Sequence, residues 1–128
     1  MRSLLDSNAV LRYLLGDIPE QRYVVEDEIA SGAEVTVEVV AECVYVLGGR
    51  VYGIPRNEVA DAIGGLLDEV DCSRAAVVRK ALEYYAATSL DFVDCLLSAE
   101  RTVNRRRVVT FDKKLASHME RSRPSLGT

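Results

Sequence analysis

The fold is set near the start of the chain, by the stretch Leu4-Leu5-Asp6-Ser7-Asn8-Ala9-Val10-Leu11. A carboxylate interrupts an apolar opening, and a hydroxyl and an amide follow it immediately. The pattern predicts a short buried strand over residues 2–5 that delivers Asp6 to its end, followed by a helix that Ser7 or Asn8 can cap. Asp6 itself could be no more than the cap of that helix.

Length and composition predict one domain, because 128 residues with 48% apolar content are enough for an ordinary packed core. We expect this domain to cover residues 1–121, with a flexible polar tail over residues 122–128. No apolar run approaches the roughly 18 residues of a membrane span, and the short start does not resemble a secretory signal. These features predict a soluble, cytoplasmic protein whose three cysteines are reduced packing residues.

The charge is unevenly distributed along the chain. The net charge is −4, yet residues 101–128 hold eight Lys or Arg against two Asp or Glu. A basic end of this kind could bind nucleic acid, or could be only a solvated terminal helix and tail. Charge alone does not separate the two interpretations.

Apolar patterns along the rest of the chain alternate between strands and helices. Further strands are predicted at residues 35–37, marginally at 71–73, and at 108–111. Helices are predicted at residues 20–30, 39–52, 57–70, 75–88, 90–103 and 113–119. Strands separated by helices indicate an α/β fold with parallel pairing and helices on both faces of the sheet.

Three more acids share the unusual setting of Asp6. Glu42 and Asp94 stand inside apolar helical runs, and Asp112 follows the last predicted strand. An isolated buried carboxylate must find a partner, and ligands of parallel sheets bind beyond the carboxyl ends of the strands. We therefore expect the four acids to meet at Mg²⁺ or Mn²⁺, hard cations that prefer oxygen ligands and that support phosphodiester hydrolysis.

Simpler interpretations exist for each acid. Asp112 could be no more than the cap of the last helix, and Glu42 could pair with Arg12 or Arg50. Asp91 fits an N-cap better than a metal ligand. Asp94 fits such roles least well, because it lies within a helix among large apolar residues.

Four segments in order resemble the four motifs of PIN-domain nucleases, and in particular those of VapC-like toxins. The likeness covers residues 1–118. The segments are Asp6-Ser7-Asn8, Ala41-Glu42, Leu90-Asp91-Phe92-Val93-Asp94-Cys95-Leu96-Leu97-Ser98-Ala99 and Val109-Thr110-Phe111-Asp112-Lys113-Lys114-Leu115.

The resemblance implies a three-layer α/β/α sandwich with a central, mainly parallel sheet. It also implies RNA hydrolysis dependent on Mg²⁺ or Mn²⁺, and neutralisation by a small antitoxin protein. By motif position, the catalytic and metal-binding residues would be Asp6, Glu42, Asp94 and Asp112. The supporting residues would be Ser7, where the family usually has threonine, with Asn8, Thr110 and, less centrally, Asp91.

Two further groups of residues are candidates for contacts with partners. A basic group flanks Asp112 and could bind RNA phosphates or serve solubility alone: Arg105, Arg106, Arg107, Lys113 and Lys114. An apolar group could form a homodimer, bind the antitoxin within a heterotetramer or larger assembly, or simply be core: Val44, Tyr45, Leu47, Val51, Tyr52, Ile54, Val59 and Ile63. His118, near the end of the last helix, is predicted to be exposed.

Two other functions compete with the nuclease. A phosphatase or receiver-like domain also places aspartates at strand ends, but it would need a lysine partner that does not stand out here. A PIN-fold module that binds RNA or protein without catalysis would not need the complete set of four acids. The sequence therefore favours a metal-dependent ribonuclease, the toxin of a toxin–antitoxin pair.

Overall fold

A computed structural model describes residues 2–122 of the chain. The described chain forms two compact units, with the boundary between Ala75 and Ala76. Of the predicted flexible tail, only Ser122 lies within the described residues. None of the helices in residues 2–122 is long and apolar enough to cross a membrane.

The first unit combines a small parallel sheet with four helices. Its elements are β1 (Ser3–Leu4), α1 (Ser7–Leu15), α2 (Pro19–Ser31), β2 (Ala33–Glu34), α3 (Val37–Leu47) and α4 (Arg56–Leu67). Strand β1 pairs with β2 in parallel, with Ser3 opposite Ala33. A parallel bridge from Glu34 to Asp71 extends the pairing, so the marginal strand predicted at residues 71–73 exists as a single bridge. This unit therefore has the predicted α/β character.

The prediction of a strand at residues 35–37 is wrong. Thr36 is the N-cap of α3, its side chain accepts a hydrogen bond of 3.1 Å from the Val39 N–H, and Val37 already begins the helix. The paired strand lies just before, at Ala33–Glu34. A β-branched run has strand propensity, but here the capping hydrogen bond and the packing of α3 decide the conformation.

Helix α3 ends earlier than predicted, at Leu47 rather than at residue 52. The N–H of Gly53 bonds to the carbonyl of Gly49 at 2.7 Å, and Gly53 has a φ of +54° that side chains other than glycine rarely adopt. The chain therefore turns between residues 48 and 53, and α4 follows from Arg56. This turn exposes Val51.

The second unit consists of three helices in the described residues. They are α5 (Ala75–Ala87), whose first residue belongs to the first unit, α6 (Phe92–Asn104) and α7 (Lys113–Arg121). The rings of Tyr85 and Phe92 meet edge to face at 6.0 Å and join α5 to α6. The buried side chains include Val78, Ala81, Leu82, Cys95, Ala99 and Leu115.

The strand predicted at residues 108–111 is also wrong, because residues 105–112 are irregular and pair with no strand in the described chain. Val109 is 78% exposed and Phe111 is 98% exposed. Strand propensity mainly reflects packing on a half-buried pleated surface, and these side chains have no such surface.

His118 is buried rather than exposed, with 5% of its surface accessible. Its Nδ1 lies 2.9 Å from Ser98 Oγ, its Nε2 lies 3.2 Å from Ser122 Oγ, and the Tyr84 ring meets it edge to face at 4.5 Å. His118 follows Leu115 by three residues and so shares its buried helix face. The prediction of exposure, made from its position near the end of the last helix, is therefore wrong.

The cysteines are reduced, as predicted. Cys43 and Cys95 are buried and Cys72 is half-buried. They contribute packing, with no disulfide in the described chain.

Candidate active site

Asp6 stands at the junction of β1 and α1, where it caps the helix. Its backbone is extended, and its Oδ1 accepts a hydrogen bond of 2.8 Å from the Ala9 N–H. Ser7 and Asn8 are the first residues of the helix and not its cap. Asp6 is therefore the cap of α1, as the simpler interpretation predicts, and this role uses only one of its two carboxylate oxygens. Within residues 2–122 the other oxygen has no hydrogen-bond partner.

Glu42 lies in α3, and its charge and that of Asp6 act on the same side chain, Cys43. The two carboxylates flank the Cys43 thiol, whose pKa is raised to about 12 by burial first and then by the charges of Glu42 and Asp6. The thiol donates a hydrogen bond of 3.7 Å to the Ser7 carbonyl, which fixes α3 against the start of α1. The first unit therefore brings Asp6 and Glu42 into one neighbourhood.

The alternative partners of Glu42 are not realised. Arg12 instead pairs with Asp17 at 2.8 Å. In residues 2–122, Glu42 forms no ion pair with Arg12 or Arg50. Its carboxylate is left without a cation from the described chain.

The second unit brings together another group of acids. Asp94 lies in the first turn of α6, and Asp112 is the N-cap of α7, where its Oδ1 accepts a hydrogen bond of 2.9 Å from the Leu115 N–H. Burial raises the pKa of Asp94, and the charges of Asp112 and then Asp91 raise it further. The charges of Asp112 and Asp91 thus act on the Asp94 carboxylate, which a bound cation would stabilise in its charged form.

Asp91 occupies the N-cap position of α6, as predicted, but its side chain makes no capping hydrogen bond. Its carboxylate is exposed and adds to the negative charge around Asp94. Asp91 therefore remains a candidate supporting residue.

The acids are less buried than their apolar neighbours suggested. Asp6, Glu42 and Asp112 are exposed, and Asp94 is half-buried. Apolar neighbours in sequence surround a helix on all sides, whereas only one face of the helix enters the core. Exposure makes these carboxylates available to a ligand from solution.

Two of the predicted supporting residues have visible roles. The Thr110 hydroxyl accepts a hydrogen bond of 3.0 Å from the Asp112 N–H, which fixes the backbone of that acid. Asn8 lines a cleft of about 380 Å³ together with Asp6 and residues of α2. Arg12 also lines this cleft, and its Nε is buried with no partner in the described residues. The position of Arg12 in the cleft is not predictable from local sequence, because the cleft is lined by residues of both α1 and α2.

The predicted basic residues surround Asp112 on the chain. Arg105, Arg106, Arg107, Lys113 and Lys114 are all exposed. Lys114 Nζ donates a hydrogen bond of 3.3 Å to the Ser89 carbonyl. The other four cationic side chains are exposed as well and can bind the phosphates of a polyanion.

The donor chemistry of the acids fits a hard divalent cation. The candidate ligands are carboxylate oxygens, and Mg²⁺ takes such ligands together with waters and substrate phosphates. No group of three or more acids, histidines or cysteines within residues 2–122 has the geometry of a metal site.

Comparison with known proteins identifies one family. The family model described as the PIN domain matches residues 3–120, a segment that contains all the candidate acids. The comparisons with curated proteins and with solved structures return no significant match.

Proposed function

Because the chain belongs to the PIN-domain family, whose fold is generally that of a nuclease, we propose that it is an endoribonuclease dependent on Mg²⁺ or Mn²⁺. Its substrate would be RNA, cleaved by hydrolysis of phosphodiester bonds. The observation that carries the proposal is the match of the PIN-domain family to residues 3–120, which include Asp6, Glu42, Asp94 and Asp112.

The proposed metal ligands are the acids at the four motif positions, Asp6, Glu42, Asp94 and Asp112, in a chain proposed to fold as a three-layer α/β/α sandwich. Their carboxylate oxygens are the ligands that Mg²⁺ and Mn²⁺ prefer. Three of the four acids are exposed and Asp94 is half-buried, so solvent reaches each of them.

The chain's own residues would bind and orient the reactants. A bound divalent cation neutralises charge on the phosphate and favours loss of a proton from water. Asp6 and Asp112 each accept a helix-capping hydrogen bond at Oδ1, which holds the carboxylate in place. The second oxygen of each carboxylate would bind the cation. Thr110 holds Asp112 in place. No protein nucleophile is required, and Cys43 is unsuited to be one because its raised pKa keeps the thiol protonated.

The proposal extends to a biological role as the toxin of a toxin–antitoxin pair, since the family often has this role. Exposed apolar side chains offer a surface for a homodimer or for a small antitoxin: Tyr45 is 82% exposed and Val51 is 85% exposed. Val44, Leu47, Val59 and Ile63, which were candidates for the same surface, are buried in the core instead.

A catalytically silent module that binds RNA or protein is the second candidate. It is favoured by the helix-capping bonds of Asp6 and Asp112, which give both acids a structural reason to be present. The phosphatase or receiver-like alternative loses its basis with the family assignment.

The deciding experiment is cleavage of defined single-stranded RNAs by the purified protein, free of any partner, in Mg²⁺, in Mn²⁺ and in EDTA. The nuclease predicts cleavage that needs metal and that is lost in Asp94→Asn. Asp61→Asn is the matched control, because Asp61 is an exposed helical acid outside the candidate site. Wild-type protein inert in every metal would favour the silent module.

A separate experiment tests the toxin role. Induced expression of the wild type should arrest growth and generate new RNA ends, whereas Asp6→Asn should do neither. Equal growth and unchanged RNA in both strains would contradict the toxin role, even if the purified protein cleaves RNA.

A further inference from the structure

The irregular segment 105–112 presents an aromatic ring to solvent beside a candidate catalytic acid. Phe111 is 98% exposed and directly precedes Asp112, whereas Phe92 is 6% exposed. Two residues earlier, Val109 is 78% exposed. A fully exposed phenylalanine gains no stability from burial in the described chain, so its surface is available to a partner.

Positively charged residues flank Phe111 in the sequence. Residues 105–114 carry five cationic side chains and a single acid, Asp112. All five cations are exposed. This composition is complementary to a polyanion such as a nucleic acid and disfavours a basic partner.

The base of the segment is fixed to the second unit. Arg105 adopts a left-handed conformation, with φ of +54°, and reverses the chain after α6. The N–H of Arg106 bonds to the carbonyl of Glu100 at 3.4 Å, and its guanidinium lies 4.0 Å from the Glu100 carboxylate. Glu100 is itself buried, so the basic run starts from an anchored point.

The other end of the segment is fixed as well. The Asp112 N–H bonds to Thr110 Oγ1, and Asp112 Oδ1 caps α7 at Leu115, which is 1% exposed. Phe111 therefore lies between two restrained residues. Its backbone position next to Asp112 is fixed, although the ring itself is almost fully exposed.

We propose that Phe111 is a stacking platform for an unpaired base of the RNA, which sets the neighbouring phosphate at Asp112. The inference rests on the proposed function and adds a residue that contacts a base of the substrate. Aromatic side chains stack on the π-face of any base, and flanking cations bind the backbone phosphates. In an RNA duplex those faces are covered by neighbouring bases, so the platform selects single-stranded RNA without selecting a base sequence.

The test measures binding of a single-stranded RNA in EDTA, where the proposed cleavage cannot occur. Phe111→Leu keeps an apolar side chain but removes the ring, and should raise the Kd about 5- to 150-fold, the range for one stacked base. Phe111→Tyr keeps the ring and should stay within about twofold of wild type. Val109→Ala is the matched control, an exposed apolar side chain without a ring, and should bind as wild type does.

Two further measurements separate stacking from a general loss of affinity. Duplex RNA should bind wild type and Phe111→Leu alike. A Phe111→Trp variant should quench the fluorescence of 2-aminopurine placed in the single strand, since quenching requires contact between the ring and the base.

The outcomes distinguish this inference from the nuclease itself. A protein that cleaves RNA while Phe111→Leu binds as tightly as wild type overturns the stacking role alone. Loss of RNA binding in Phe111→Leu, with a wild type inert in every metal, supports stacking and rejects catalysis. If Phe111→Leu alters only self-association, the ring is a protein contact and the inference is wrong.

Discussion

The Oδ1 atom of Asp6 accepts a hydrogen bond of 2.8 Å from the N–H of Ala9, so an acid at the candidate metal site is also the cap of α1. Asp112 repeats the relationship with Leu115 at the start of α7. Loss of activity on removing either acid could therefore arise from a lost ligand or from a frayed helix. Substitutions that preserve the cap separate the two causes.

Asp6→Asn should abolish RNA cleavage and leave stability nearly unchanged, because asparagine caps a helix about as well as aspartate but is a poorer ligand for a hard cation. Asp6→Ala should abolish cleavage and also lower the free energy of unfolding by about 0.5–2 kcal/mol. Urea denaturation alongside a cleavage assay measures both effects.

Thr36→Ala is the control for this pair, since Thr36 caps α3 by the same kind of bond. It should lose comparable stability while keeping metal-dependent cleavage. If Asp6→Asn retains cleavage, Asp6 is a cap and not a ligand.

Asp94→Asn should not destabilise the metal-free protein, although it removes the central acid of the second unit. Burial and the neighbouring acids raise the pKa of Asp94, so its charged form is disfavoured by folding. A neutral amide avoids that penalty, and we expect the free energy of unfolding in EDTA to stay within about 0.5 kcal/mol of wild type or to rise.

Added Mg²⁺ should reverse this order of stability. It should stabilise the wild type more than Asp94→Asn, because a ligand bound to the folded state adds to its stability. Thermal unfolding with and without the cation is the measurement. Equal stabilisation of both proteins would argue against Asp94 as a ligand.

The burial of His118 should make stability depend on pH below neutrality. Burial lowers the pKa of His118, and the nearby Arg121 charge lowers it further. Between this lowered value and the ordinary value of 6.5, the unfolded chain binds more protons, so stability falls as the pH falls through 6.5 and levels off below the folded pKa.

His118→Gln should remove this part of the pH dependence. It should also destabilise the protein by about 1–3 kcal/mol, because the buried hydroxyl of Ser98 loses its ring partner. Urea unfolding of both proteins from pH 5 to 8 gives the comparison. Parallel stability curves for the two proteins would show that His118 does not titrate on unfolding.

Cys43 should resist alkylation in the folded protein. With a pKa of about 12, its thiolate fraction at pH 8 is roughly one part in ten thousand, and the side chain is buried. Iodoacetamide followed by peptide mass spectrometry should label the half-buried Cys72 first and Cys43 only in denaturant. Native labelling of Cys43 at the rate of Cys72 would contradict the burial of this thiol beside Asp6 and Glu42.

Local signals in the sequence predicted most of the helices well. Glycine and proline residues at the helix ends predict the bounds of α2 and α4 to within a few residues. The N-cap role of Asp112 is also one of the two interpretations that the sequence allows. These features depend on nearby residues, which the sequence displays directly.

Features that depend on distant residues were not predictable in the same way. The cap at Thr36 overrode a β-branched run, and segment 105–112 found no strand to pair with. The burial of His118 depends on Ser98, twenty residues away. The exposure of Glu42 depends on which face of α3 enters the core, which its apolar neighbours on every side could not reveal.

The central claim, that the acids at the motif positions are metal ligands needed for RNA cleavage, is tested most directly by Mn²⁺ binding measured by electron paramagnetic resonance. The account predicts that Asp6→Asn and Asp94→Asn each weaken Mn²⁺ binding and that each abolishes RNA cleavage. Mn²⁺ bound with wild-type affinity by either variant would contradict the role of that acid as a ligand.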